Sequence, residues 1–185
     1  PVPLGAVAAR TGEAYLCLPG GCELGARPID LHLMGLRALG MTIEEKGEKL
    51  HAYHNGLKGA DITLPFPSVG ATENILMAAV LAKGRTVLRG AAREPEIQDL
   101  CRFLRRCGAG IVGDGGPVLY IDGVPELMGC SCTVMGDRIE AATLLIAAAV
   151  TGGEVEVRGF SPADTGAVLG VLRRMGARLR VYRDR

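Results

Sequence analysis

The sequence predicts an α+β chain assembled from a repeated unit whose first helix is buried. Three observations carry this. LRALGMTI begins at Leu36, LRRCGAGI at Leu104 and LRRMGARL at Leu172, so the copies stand 68 residues apart both times. Ala71 to Ala82 is apolar nearly all round, the mark of a helix enclosed by other elements. Strands are signalled by period-two alternation at Glu154 to Val157 and by two apolar runs flanking the Gly-rich turn Gly113 to Gly116.

In chain order, Leu4 to Arg10 reads as the remainder of a buried helix, followed by a strand from Glu13 to Leu18. Arg27-Pro28 opens a second helix, which ends at Gly40 before a strand entered at Ile43. In the middle copy, Ala71 to Ala82 ends at Lys83-Gly84 and Thr86 to Arg89 forms a short strand. Pro95 then starts an amphipathic helix with Ile97, Leu100, Cys101, Leu104 and Cys107 on one stripe, which makes Cys101 and Cys107 core residues. Strands at Ala109 to Val112 and Val118 to Ile121 close a hairpin. The third copy has Asp137 and Glu140 as a capping box ahead of Ile139 to Val150, then a half-buried strand carrying Val155 and Val157. Ser161-Pro162-Ala163-Asp164 supplies an N-cap, a first-turn proline and an acidic first turn for a helix ending at Met175. The unit is helix, strand, helix, two strands. Its first copy is incomplete and its third stops at Val181 to Arg185 with a hairpin partner still due, so the chain reads as a fragment.

Composition excludes several classes. With 21 basic and 20 acidic residues among 185, a net charge of +1 offers no field for nucleic acid or an anionic membrane. Ala141 to Val150, the longest apolar stretch, is about half a membrane span. The six cysteines (Cys17, Cys22, Cys101, Cys107, Cys130, Cys132) read as reduced thiols of a cytosolic protein. Cys130-Ser131-Cys132 lacks a second ligand pair at zinc-site spacing, and His51 and His54 supply no partner motif, so no metal site is expected.

One loop stands apart. In LPGGCELGARPIDLH, Leu18 to His32, Gly20 and Gly21 place Cys22 where the chain bends sharply. Arg27 and the free amides of the next helix add positive potential, which favours thiolate and attracts anions. Two roles fit Cys22 on these grounds: a working thiol at an anion site, or an incidental small apolar residue of the kind commonly buried.

That loop, with FPSVGATENILMAA from Phe66, AAREPEIQDL from Ala91 and DRIEAATLLIAAAV from Asp137, resembles the enolpyruvyl transferases, specifically the UDP-N-acetylglucosamine 1-carboxyvinyltransferases, essentially end to end. The 5-enolpyruvylshikimate-3-phosphate synthases share the repeated fold but lack the cysteine loop followed by RPxDLH. The resemblance implies βαβαββ units forming an inside-out α/β barrel, with buried helices and outer mixed sheets. Residues 1–136 would be most of one lobe and 137–185 the start of a second.

It also implies a reaction: the enolpyruvyl group of phosphoenolpyruvate passes to the 3′-hydroxyl of UDP-N-acetylglucosamine and phosphate is released, in peptidoglycan precursor synthesis in the cytoplasm. No metal or organic cofactor is implied. By position Cys22 is the loop cysteine that adds to phosphoenolpyruvate, as proton donor or in product release, and that the epoxide fosfomycin alkylates. The nucleotide-sugar contacts carry over to Arg27, Pro28, Ile29, Asp30 and Leu31, and to Ser68, Val69 and Gly70. Plainer roles remain for two of them: Asp30 as a first-turn charge, and Ser68 to Gly70 as the start of a buried helix.

Other residues are read as structural. Glu94 and Glu96 flank Pro95 as helix-start acids, His32 is a packing or hydrogen-bonding residue, and Arg102, Arg105, Arg106, Arg173 and Arg174 form solvated faces. The chain departs from the family at Glu23, whose charge beside the thiol is expected to raise its pKa, and at Met135-Gly136, where a proline before Asp137 is common and the crossover is expected to be looser. It also lacks the early Lys-Asn pair, the arginine upstream of the loop, and the aspartate and arginines of later repeats. The missing N- and C-terminal parts of the same enzyme are therefore its expected partners. The competing reading is a non-catalytic nucleotide-sugar binding or scaffold protein on the same fold.

Overall fold

The computed structural model describes residues 2–17, 29–47 and 49–182. Two compact units divide the chain, Pro1–Cys132 and Thr133–Arg185.

The first unit runs α1 (Pro3–Thr11), β1 (Glu13–Cys17), α2 (Asp30–Ala38), β2 (Thr42–Lys46), β3 (Lys49–Tyr53), β4 (Asp61–Thr63), α3 (Val69–Ala79), β5 (Arg85–Arg89), α4 (Pro95–Arg106), β6 (Gly110–Val112) and β7 (Val118–Asp122). Helix, strand, helix and hairpin therefore occur twice in succession. The strand order repeats too: β1-β3-β2 in one sheet and β5-β7-β6 in the other, antiparallel throughout. β4, which the sequence reading does not anticipate, joins the second sheet parallel to β5 and makes it mixed. Three residues of Asp-Ile-Thr carry too short a period to register as a strand; pairing with β5 defines it.

Each sheet turns one face inward. Ala14, Ile43, Leu50 and Ala52 are buried on the first and Leu88, Ile111, Leu119 and Ile121 on the second. The outer faces are polar, as period-two alternation requires. Tyr15 stacks on His51 at 4.2 Å between ring centroids, and Arg85 forks onto Asp122 at 2.7 and 2.8 Å. Helix α3 forms the centre. Ala71, Ile75, Leu76, Ala78, Ala79 and Val80 are wholly buried, with α1 and α2 packed against it. Gly35 allows the close approach of α2, since an added Cβ would overlap the Ile75 side chain.

Gly40, Gly108 and Gly176 hold φ of 92°, 104° and 94°, the left-handed helix stop the three copies of the motif require. On α4, Ile97, Cys101, Leu104 and Cys107 are buried and Leu100 partly so, which places both cysteines in the interior. Burial pushes the Cys101 thiol up to about 12.

The second unit contains α5 (Arg138–Thr151), a 3₁₀ turn (Pro162–Thr165) and α6 (Gly166–Arg174). Asp137 caps α5, accepting from Ile139 N–H at 2.7 Å and Glu140 N–H at 3.2 Å. Two expectations fail here. The alternating segment Glu154 to Val157 forms no strand, because among the described residues no segment of this unit offers it a ladder; β5, its counterpart, is paired on both sides. Ser161 makes no side-chain cap, and the helix expected from Pro162 begins as a 3₁₀ turn in which Thr165 Oγ1 donates to Pro162 O at 3.1 Å. Gly136 lies so close to Gly159 that an added Cβ would overlap that carbonyl. No helix among the described residues is long and apolar enough to cross a membrane.

Candidate functional site

The first unit brings the beginnings of two helices, α2 and α3, together. α1 and α2 both pack on α3, and the first turn of α2 meets that of α3 at Gly70. A Cβ added there would lie 3.1 Å from His32 Cε1 on α2 and 3.5 Å from Val2 Cγ2 ahead of α1. Each of these two helix starts carries N–H groups without an intrahelical acceptor and the positive end of the peptide dipole, so the pair side by side favours an anion.

A buried polar relay fixes this arrangement. Asn74 Oδ1 on α3 accepts from Gly5 N–H of α1 at 2.6 Å, and its Nδ2 lies 3.2 Å from His32 Nδ1 on α2. With the oxygen taken by Gly5, Asn74 donates to Nδ1, and His32 carries its proton on Nε2, facing Gly70. Burial holds the His32 pKa below its ordinary 6.5, in keeping with a neutral ring. Histidine thus has the packing and hydrogen-bonding role expected of it. Asn74 escaped the sequence reading, although an amide inside a run as apolar as Asn74 to Leu81 demands partners.

Of the residues singled out from sequence, Ile29, Asp30 and Leu31 start α2 and Ser68, Val69 and Gly70 start α3. The contact of Gly70 with His32 draws these two segments, forty residues apart in the chain, to one place. Asp30 is exposed in the first turn of α2, and Leu31 is buried. Ser68 caps α3 loosely, its Oγ 3.4 Å from Ala71 N–H. Cys22, Arg27 and Pro28 lie outside the described residues.

The AAREPEIQDL segment borders the same region. Thr72 Oγ1 on α3 accepts from Ala92 N–H at 3.1 Å, which ties the loop ahead of α4 to the second turn of α3. Glu73 nearby has its pKa raised by burial and, secondarily, by the charge of Glu96. Glu94 accepts from Arg93 N–H and makes no cap. On α4, Arg105 pairs with Asp114 and Arg102 with Asp99, so these arginines are surface ion-pair formers. A separate open groove at the far end of α1, lined by Glu13, Glu44, Lys46, His51, Tyr53 and His54, touches none of the helix starts. No group of three or more metal-ligating side chains is assembled among the described residues.

Against known proteins, the chain is 54% identical over 180 residues to UDP-N-acetylglucosamine 1-carboxyvinyltransferase 1 of Symbiobacterium thermophilum, covering 97% of this chain and 41% of that one. It is 51% identical over 173 residues to the UDP-N-acetylglucosamine 1-carboxyvinyltransferase of Nitratidesulfovibrio vulgaris, covering 94% and 42%. The chain thus spans about two fifths of the length of these relatives. Among solved structures it resembles the enolpyruvyl transferase NikO of Streptomyces tendae, with a TM-score of 0.74, 23% identity and coverage of 98% and 44%. It also resembles the EPSP synthase of Acinetobacter baumannii, with a TM-score of 0.70, 24% identity and coverage of 100% and 43%. The mixed helix-and-sheet fold is therefore that of the enolpyruvyl transferases. With the family model for EPSP synthase (3-phosphoshikimate 1-carboxyvinyltransferase) matching residues 2–184, the chain belongs to that family.

Proposed function

We propose that this chain is part of an enzyme that transfers the enolpyruvyl group of phosphoenolpyruvate to the 3′-hydroxyl of UDP-N-acetylglucosamine and releases phosphate, in peptidoglycan precursor synthesis in the cytoplasm. The observation that carries this is the identity of 54% over 97% of the chain with a protein named for that nucleotide sugar. The site geometry supports it, because a diphosphate suits the pair of helix starts at Gly70.

On this reading, backbone donors of Ser68, Val69 and Gly70 meet the diphosphate, and Asp30 accepts from base or ribose donors beside Ile29 and Leu31. Arg27 and Pro28 complete the contact, and Cys22 adds to phosphoenolpyruvate as proton donor or product-release group. The chemistry needs no metal or organic cofactor. The first unit is most of one lobe of an inside-out α/β barrel, and the second unit begins the other lobe. Groups that hold phosphoenolpyruvate and deprotonate the hydroxyl belong to parts of the enzyme outside these 185 residues, so residues 1–185 alone have no turnover.

Alkylation tests the reading. In the full-length protein, fosfomycin labels Cys22 faster when UDP-N-acetylglucosamine is present. Labelling indifferent to the nucleotide, or divided equally with Cys17, favours a non-catalytic protein on this fold. Phosphate release by residues 1–185 alone overturns the assignment of the missing groups.

A further inference from the structure

We propose that Cys107 and Cys130 form a redox-reversible disulfide that staples the exit segment of the first unit onto the end of α4. The two sulfurs are 3.5 Å apart across 23 residues of sequence. The segment carrying Cys130 is already seated there: Met128 N–H donates to Cys107 O at 2.8 Å, and Arg106 Nη1 donates to Ser131 O at 3.3 Å. Closure to the covalent distance of about 2.05 Å requires the sulfurs to approach by about 1.5 Å, within reach of side-chain rotation in a loop. The segment ends at the division between the two units, after Cys132. Oxidation therefore fixes the point from which the chain leaves the first unit.

Asymmetry of exposure sets the order of events. Cys130 is half-buried, whereas Cys107 is 5% exposed and its thiol is held above its ordinary pKa by burial and by the contact with Cys130. Cys130 is the thiol that meets an oxidant of the low-molecular-weight disulfide class. Its thiolate attacks one sulfur of the oxidant, and the oxidant's S–S bond breaks with the electron pair leaving on the second sulfur. Cys107 then loses its proton, attacks the Cys130 sulfur of the mixed disulfide and expels the second thiolate. Two protein thiols are oxidised, one small disulfide is reduced to two thiols, and the two protons pass to the leaving thiolates. A dithiol reverses the sequence. Cys101, fully buried with a thiol pushed up to about 12, stays out of it.

Oxidised glutathione is the probe, applied to the chain followed by double digestion after Arg106, Glu126 and Arg138 without reduction. The expected product joins the peptide of Cys107 to that of Cys130, disappears in Cys130→Ser and Cys107→Ala, and reverts with dithiothreitol. Hydrogen exchange at the Met128 amide slows by about tenfold in the oxidised chain, the sign of a stapled segment. A stable glutathione adduct at Cys130, or a Cys130–Cys132 bond in place of the expected link, overturns the pairing. Because Cys130 is not a core residue, Cys130→Ser keeps the test informative if Cys107→Ala fails to fold. Unchanged exchange at Met128 in a chain that does carry the link overturns the staple.

Discussion

Helices α3 and α5 are the same element of the repeat, 68 residues apart, yet one is enclosed and the other is bare. Leu76 on α3 is 0% exposed, whereas its counterpart Leu144 on α5 is 45% exposed. Ala71, Ala78 and Ala82 are buried to within 1%, while Ile139, Ile146 and Val150 at the matching positions are exposed at 58%, 44% and 80%. Composition makes both segments helical, and it does so independently of surroundings. Burial depends on neighbours: α3 packs on α1, α2, α4 and β7, while α5, among the described residues of its own unit, packs on the 3₁₀ turn and α6. An all-round apolar helix is thus a statement about partners a chain is built to have, not about partners these residues supply.

The strongest way to break that comparison is to delete the same side chain from both. Leu76→Ala opens a cavity among residues that cannot collapse and costs about 2–5 kcal/mol. Leu144→Ala removes a half-exposed side chain and costs under about 1 kcal/mol. Urea denaturation of the two variants measures the difference. Equal losses mean that α5 is as enclosed as α3 and the contrast is false.

A second contrast lies two residues earlier. Asn74 bridges α1 and α2, whereas the matching position on α5 is Ala142 and bridges nothing of the kind. Asn74→Ala makes the first unit resemble the second and leaves Gly5 N–H and His32 Nδ1 without that partner, at about 1–3 kcal/mol in the urea midpoint. Because burial lowers the His32 pKa, the folded chain binds fewer protons than the unfolded chain below pH 6.5. Stability at this site is complete above 6.5 and is lost as pH falls through the folded value, by at most about 1.4 kcal/mol per pH unit. Glu73 works in the opposite sense. Its raised pKa contributes stability below 4.5 that is lost as pH rises through the folded value. The two slopes have opposite signs, that of His32 lying below 6.5 and that of Glu73 above 4.5, and His32→Phe and Glu73→Gln separate them. A His32→Phe variant with an unaltered pH profile shows that the ring does not titrate against folding.

Much of this architecture is legible in the residues, and the lapses share a cause. Glycines at 40, 108 and 176 announce helix ends because a left-handed φ excludes most side chains, a wholly local constraint. The stripe on α4 is equally local. β4 and the segment around Val155 and Val157 mislead in opposite directions, since a strand exists only where another strand accepts its hydrogen bonds. At the site, sequence points to a helix opened by Arg27-Pro28 with Asp30 in its first turn and to one started by Ser68 to Gly70, but not to their convergence at Gly70. That depends on Asn74, a residue whose partners lie 42 and 69 positions away.

The caps sharpen the comparison at its smallest scale, and they reverse its sign. Asp137 accepts from two N–H groups of α5, at 2.7 and 3.2 Å, with a full negative charge at the dipole's positive end. Ser68 accepts from one N–H of α3 at 3.4 Å, at the long limit for such a bond. Asp137→Ala therefore costs about 1 kcal/mol and speeds hydrogen exchange at Ile139 and Glu140, whereas Ser68→Ala costs a few tenths of a kcal/mol, roughly the floor for a cap. The buried helix carries the weaker cap because its packing holds it in place, which leaves the Ser68 hydroxyl only weakly engaged where the starts of α2 and α3 converge. If that hydroxyl serves the nucleotide, Ser68→Ala in the full-length protein raises KM for UDP-N-acetylglucosamine by about tenfold with the melting temperature nearly unchanged. A Ser68→Ala loss as large as that of Asp137→Ala assigns the hydroxyl to the helix instead.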